Sequence, residues 1–162
     1  MITQDYLHEI FHYDPENGLF SRKKRTGPTT NVGDIVGTDK GNGYLMMCIK
    51  SRLYLSHRIA WFYVYGEMPP LNIDHINGNR SDNRICNLRL ANQSQNTANS
   101  KLSKANNSGF KGVTWRKDIK KWGSQLTFNY KHISLGCFET KEEAAEAYKK
   151  AANQYFGKYA NC

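Results

Sequence analysis

The segment from Ile73 to Asn99 constrains the fold more than any other part of the chain. It has few large apolar side chains and carries Asn77, Asn79, Asn83, Asn87, Asn92, Asn96 and Asn99 beside Asp74, His75 and Asp82. Such a stretch buries too little apolar surface to offset the entropy of its own ordering. Its polar groups must be held by one another or by a ligand. Pattern reading divides it into a short strand at 71–75, a loop at 77–84 opened by the tight Asn77-Gly78 turn, a second strand at 87–90 and a helix. Asn92 or Ser94 caps that helix, which is expected to run to about Lys101.

Upstream, Thr3 is placed to cap a helix over 3–12 with Tyr6, Leu7, Ile10 and Phe11 on one face. Asp14–Gly18 is a turn signal, and 19–22 reads as a strand. Strands are expected at 34–37, 43–49 and 52–55. A helix over about 57–66 follows, capped by Ser56 and stopped by Gly66 and Met68-Pro69-Pro70. Residues 1–70 thus read as a small α+β unit. Downstream, Ser103–Gly109 is small and polar and reads as a linker. Beyond it, 112–116, 122–128 and 131–135 read as three strands. Thr140-Lys-Glu-Glu143 is a capping box opening a helix whose packing stripe is Ala144, Ala147, Tyr148, Ala151 and Tyr155. One face of that sheet is covered by the helix; the other is polar and basic.

The chain of 162 residues suits one ordinary domain or two small ones. No apolar run approaches the ~20 residues of a membrane helix, and no signal peptide is expected from the first residues. Cys48, Cys86, Cys137 and Cys162 form no C-x-x-C pair and no zinc-ligand spacing with histidine. Four reduced thiols in a cytoplasmic protein are expected. Formal net charge is +9. Residues 1–70 hold eight Lys/Arg against seven Asp/Glu, residues 71–105 five against two, and residues 106–162 ten against five. The excess grows toward the C-terminus, which favours a polyanion partner there. The run Arg22-Lys23-Lys24-Arg25 is either a solvated surface cluster or a contact to a DNA backbone.

Strand, loop, strand and helix can bring Asp74, His75, Asn87 and Asn96 to one place. The Asp74 carboxylate and the Asn96 amide are hard oxygen donors suited to Mg²⁺ or Mn²⁺, one ion per site. His75 has an unperturbed pKa suited to a general base near neutral pH. Asn87 can hydrogen-bond across the loop and hold His75 in register. The residues by themselves leave two readings open: a phosphodiesterase centre, or a hydrogen-bonded loop with no metal. His57 and Arg58 are read as the start of a helix packed under this module.

The pattern Asp74-His-Ile-Asn-Gly-Asn…Asp82-Asn-Arg-Ile-Cys-Asn-Leu-Arg89…Gln95-Asn-Thr-Ala-Asn99 resembles the HNH nuclease motif in the version carried by phage and group I intron homing endonucleases. Leu55-Ser-His-Arg-Ile-Ala-Trp61 resembles the segment preceding that motif. The resemblance implies that Asp74 and Asn96 bind the metal, that His75 activates water and that Asn87 fixes the ββα-metal loop. Gly112-Val-Thr-Trp-Arg…Trp122…Ile133-Ser-Leu-Gly-Cys-Phe…Ala144…Tyr148 is similar to the DNA-binding domain of plant apetala and ethylene-response factors. That resemblance implies a three-stranded sheet in the DNA major groove, with Thr114, Arg116, Gln125, Thr127, His132 and Ser134 on the reading face. The plant pattern has Arg at several of these positions, so its base preference does not carry over. Trp115 and Trp122 are expected in the core.

The expected fold class is α+β: an N-terminal α+β segment (1–70), a ββα-metal HNH module (71–102), a linker (103–109) and a sheet-on-helix DNA-binding domain (110–162). The expected function is a metal-dependent endonuclease of double-stranded DNA, phage-encoded and of the homing type, acting as a monomer or homodimer by nicking or double-strand cleavage. The rival reading is a non-catalytic DNA-binding regulator with an inactive nuclease module.

Overall fold

A computed structural model describes residues 2–162. The chain forms two compact units, Met1–Leu90 and Ala91–Cys162. It is α+β throughout, with small antiparallel sheets.

The first unit opens with α1 (Gln4–Ile10), whose N-cap Thr3 accepts the Tyr6 amide. The helix ends earlier than the periodicity predicts. Phe11, assigned to the helix face, instead begins β1 (Phe11–Asp14), where a ring buried on a strand alternates with exposed His12. The turn at 14–18 closes with the Gly18 amide donating 2.8 Å to Asp14 O. It leads to β2 (Leu19–Arg22), which pairs β1 and β3 (Ile35–Val36). A second sheet holds β4 (Thr38–Asp39), β5 (Leu45–Ile49) and β6 (Arg52–Leu55). Lys50 and Ser51 join β5 to β6, with φ of 48° and 62°. Helix α2 (Ser56–Tyr65) follows and ends at Gly66, φ 78°. Ser56 is not its cap: Leu55 holds that position without a side-chain bond, and the buried Ser56 hydroxyl has no hydrogen-bond partner among the described residues. One core runs through Leu7, Phe11, Phe20, Met47, Ile59 and Leu88.

The nuclease-like hairpin pairs β7 (Asn72–His75) with β8 (Leu88–Ala91). Asn87, expected to begin the second strand, closes a 3-10 turn (Ile85–Asn87) just before it.

The second unit begins with α3 (Gln93–Asn99). Asn92 caps it reciprocally with Gln95. Asn106 and Ser108 then order the 103–109 stretch: Asn106 Oδ1 accepts the Gly109 amide at 2.7 Å and Ser108 is buried. A three-stranded sheet is built from β9 (Val113–Arg116), β10 (Lys121–Phe128) and β11 (Lys131–Phe138), with β10 central. Strand β11 runs three residues beyond its expected end, because a bulge at the Ser124/Gln125 register step lets pairing resume as far as Trp122↔Phe138. Asn129 and Tyr130 make the β10–β11 turn with φ of 47° and 64°. Helix α4 (Lys141–Phe156) starts at the Thr140/Glu143 capping box. It packs Ala151, Ala152 and Phe156 against Leu126. Phe156, not Tyr155, takes the buried place in its last turn; Tyr155 stays largely exposed while stacking on Phe128 at 5.1 Å. Trp115, expected in the core, is 45% exposed and meets Trp122 edge-on at 5.1 Å.

Gly112 has no room for a side chain. Its φ is +66°, and a Cβ would lie 2.3 Å from both Gln125 O and the Tyr148 ring. All four cysteines are unpaired and exposed. No helix among the described residues is long and apolar enough to cross a membrane.

Candidate active site

Strand β7 carries Asp74 and His75 at its end, both buried, at 4% and 3% exposure. A buried carboxylate needs a partner. Arg89 on β8 supplies it, with Nε 2.8 Å and a terminal nitrogen 2.7 Å from Asp74 Oδ2. His75 directs Nε2 to Asn83 Oδ1 at 3.2 Å. Its ring meets His57 edge-on at 5.0 Å and Tyr44 at 5.9 Å. Arg80 lies 4.9 Å over the Tyr44 ring and donates 3.1 Å to Asn42 O. Burial lowers the His75 pKa below its ordinary value and Arg80 adds to that; the Asn83 hydrogen bond and Asp74 oppose it. Imidazole, not imidazolium, is thereby the favoured form near neutral pH.

Asn87 works as the tie of the loop. Its Oδ1 accepts the Asn77 amide at 3.0 Å, and its Nδ2 donates 3.1 Å to Asn77 Oδ1 and 2.9 Å to Asp82 O. The Ile76 amide donates 2.9 Å to Asn87 O. Asp82 is in turn forked by Arg84 at 2.8 and 2.6 Å and bonded by Asn77 Nδ2 at 2.7 Å. The Arg84 hydrogen bond, ahead of the others, pulls the Asp82 pKa down to about 2.

Asp74, His75 and Asn87 are therefore gathered on one hairpin of the first unit. Asn96 lies on α3 in the second unit. Among the described residues no three His, Cys, Asp or Glu side chains group to hold a metal. The Asp74 carboxylate and the Asn96 amide are each hard oxygen donors of the kind a divalent ion such as Mg²⁺ or Mn²⁺ takes. Asp74 has two oxygens, and the Arg89 fork falls on Oδ2.

His57 is buried beside His75, and its Nδ1 has no hydrogen-bond partner among the described residues. Burial, with His75 and Arg58 adding to it, pushes its pKa down to about 3. Arg58 donates to Pro69 O at 3.1 Å and Leu71 O at 3.4 Å, bracing the approach to β7. The sequence reading missed Asn83, Tyr44 and Arg80. Asn83 looked like a turn residue; its neighbourhood in the Asp82-Asn83-Arg84 triplet was the available signal.

The basic run sits at the end of β2 and is engaged within its own unit. Arg22 donates 2.5 Å to Thr26, Lys23 2.7 Å to His8 O, Lys24 pairs with Glu9 at 2.7 Å, and Arg25 donates to Thr30 O and Pro28 O. In the second unit Thr114, Arg116, Gln125, Thr127, His132 and Ser134 are all exposed. The register sets Gln125 against Ser134 and Thr127 against His132. Within this face, Thr127 Oγ1 and His132 Nδ1 are 3.0 Å apart, and Arg116 is forked by Asp118 at 3.1 and 2.9 Å.

Residues 54–98 match the HNH endonuclease family, and residues 108–158 match the AP2 domain. The chain is similar to Protein 3.8 of Escherichia phage T7, at 34% identity over 94 residues, 57% of this chain and 78% of the relative. It is also similar to an uncharacterized HNH endonuclease, L560, of Acanthamoeba polyphaga mimivirus, at 29% identity over 123 residues, 74% of this chain and 62% of that relative's length. No solved structure matches it. With its central hairpin inside the first matched span and its three-stranded sheet inside the second, the chain belongs to the HNH endonuclease family and carries an AP2 domain after the nuclease motif.

Proposed function

We propose that the chain is a metal-dependent endonuclease that hydrolyses phosphodiester bonds of duplex DNA with His75 as general base. One observation carries the reading: a buried, neutral-biased His75 sits next to the ion-paired Asp74 at the end of β7. A structural loop would gain nothing from burying two ionisable groups side by side.

In this reading His75 accepts a proton from the attacking water, a role that asks for the unprotonated imidazole. Asp74 and Asn96 hold Mg²⁺ or Mn²⁺. When bound, the ion supplies charge neutralisation at the scissile phosphate and at the leaving 3′ oxygen. Arg89 holds the Asp74 carboxylate in place through its contacts to Oδ2. Asn87 keeps the loop closed. The outer face of β9–β11 binds the duplex through Thr114, Arg116, Gln125, Thr127, His132 and Ser134, and Arg22–Arg25 exchange internal partners for phosphates. The functional modules follow the boundaries 71–102 and 110–162. The likeness to a phage protein supports a phage-type enzyme; in this reading it acts in the cytoplasm, is of the homing kind and works as a monomer or homodimer.

The test is supercoiled plasmid incubated with the protein and Mg²⁺ or Mn²⁺, beside His75→Ala and an EDTA control. Nicked or linear product is expected from the wild type alone. A wild-type protein that shifts the plasmid on a gel yet leaves it uncut returns the chain to the regulator reading.

A further inference from the structure

We infer that the N-terminal hairpin β1–β2 belongs to the catalytic apparatus, and that Asn83, which it holds, is the positioning residue that sets the tautomer and ring plane of His75. The inference rests on the reading of His75 as general base.

Asn83 is 1% exposed, so its side chain has no water to turn to. Its Oδ1 meets His75 Nε2 at 3.2 Å. A carbonyl oxygen only accepts, so Nε2 carries the ring proton and the basic lone pair falls on Nδ1. An asparagine that served only its turn would bond its own backbone; this one spends its acceptor on a side chain eight positions away. Its Nδ2 is buried with no hydrogen-bond partner among the described residues. That is a cost a leucine of similar size would remove. What leucine would lose is the acceptor for His75.

Two contacts from far upstream fix Asn83. The Tyr13 hydroxyl donates 2.7 Å to Asn83 O inside the core. Gly18, φ +73°, lies against the Asn83–Arg84 peptide so closely that a Cβ would stand 2.4 Å from Arg84 N and 2.6 Å from Asn83 C. Both come from the β1–β2 hairpin, one from its first strand and one from its turn. Arg84 and Asn87 hold the other side through Asp82. The residue facing the base is therefore clamped between the hairpin and the loop, the arrangement a ligand-orienting second layer needs.

The experiment uses the full, metal-free chain labelled with ¹⁵N-histidine, read by long-range ¹H–¹⁵N correlation at a pH where His75 is neutral. Wild-type His75 is expected as a single Nε2–H tautomer, Asn83→Leu as a mixture, and Asn83→Asp, which keeps an acceptor, as Nε2–H. In plasmid nicking with Mg²⁺, Asn83→Leu is expected to lose on the order of 10–100-fold in turnover with DNA affinity unchanged, and Asn83→Asp to recover part of it. A wild-type proton on Nδ1 overturns the inference, as does an Asn83→Leu protein with wild-type spectrum and turnover. Should Asn83→Leu not fold, Tyr13→Phe carries the test: several-fold slower nicking at equal DNA affinity supports the hairpin's role, and wild-type turnover overturns it. His75→Ala separates the two readings. If it still cuts, the general-base reading fails whatever the tautomer; if it is dead while Asn83→Leu is fully active, only the present inference fails.

Discussion

The two units handle polar residues in opposite ways. In the β7–β8 hairpin Asp74, His75, Asn83 and Asn87 are buried and bonded within the hairpin: Arg89 to Asp74, Asn83 to His75, and Asn87 to Asn77 and the Asp82 carbonyl. On the β9–β11 sheet the polar side chains turn outward, while Leu126, Ala151, Ala152 and Phe156 make an ordinary apolar core behind them. In the proposed reading the difference separates two kinds of function. A reacting group must be held rigidly before substrate arrives, so its supports are bought with buried hydrogen bonds. A duplex-reading face is assembled from residues whose folding cost is small, which leaves them available to contact bases and phosphates. Substitutions inside the hairpin should therefore change stability and rate together, whereas those on the sheet face should change affinity alone.

The sharpest boundary of that contrast lies under the sheet. Gly112→Ala should destabilise the second unit by about 3 kcal/mol or more, since it sets a Cβ against Gln125 O and the Tyr148 ring at a positive φ. Urea unfolding measures it; a wild-type midpoint would mean that the strand can shift away. Asn87→Ala comes next. It removes three hydrogen bonds from a closed loop and should cost about 2–3 kcal/mol along with cleavage. Equal stability by denaturant titration would show that the loop is not tied as described.

The third test is pH. The folded His57 pKa, near 3, lies below the ordinary histidine value. The unfolded chain therefore takes up this proton more readily. Its stabilising contribution is complete above about pH 6.5 and is lost as pH falls toward 3. His75 acts in the same direction, and Asp82 joins only below about pH 4. Stability of His57→Phe across this range should fall less steeply than that of the wild type, and parallel curves would refute the assignment. The smallest stability effect belongs to Gln125→Ala and Arg116→Ala, within about 0.5 kcal/mol. Arg116→Ala should nevertheless weaken DNA binding and lower the salt slope by about 1. Asp118→Asn, by releasing the Arg116 fork, should strengthen it. Affinities that do not move with either change would place DNA on another surface.

Local chemistry made much of this readable. The Thr140/Glu143 capping box, the Asn92 cap (offered beside Ser94), the Gly66 stop and the three strands of the second unit all depend on neighbours within a few residues. The misreadings come where a distant partner decides. Phe11 leaves the helix because β2 pairs it with Arg22. Ser56 is not the cap because it is already the first helical residue of α2, with its side chain buried and Leu55 in the cap position. Phe156, four residues after buried Ala152, takes the buried place in the last turn, whereas Tyr155, four residues after buried Ala151, stays exposed. Residue type and spacing single out Asp74, His75 and Asn87, which the structure gathers on one hairpin, while the roles given to them come from the resemblance to HNH nucleases. Asn83 is not singled out that way, because its acceptor and its carbonyl are used by His75 and Tyr13, eight and seventy positions away.

The hairpin tips carry a consequence for durability. Lys50-Ser51 and Asn129-Tyr130 take left-handed backbone without glycine, and Tyr130 stands 83% exposed at its tip. A bulky residue there opposes the turn by about 1–2 kcal/mol, so strand pairing holds each bend against the preference of its own residues. Tyr130→Gly would relax that opposition while leaving every residue proposed to contact DNA in place. The protein thus keeps an unspent margin of thermal tolerance at its hairpin tips, one of them only two residues from Thr127 and His132.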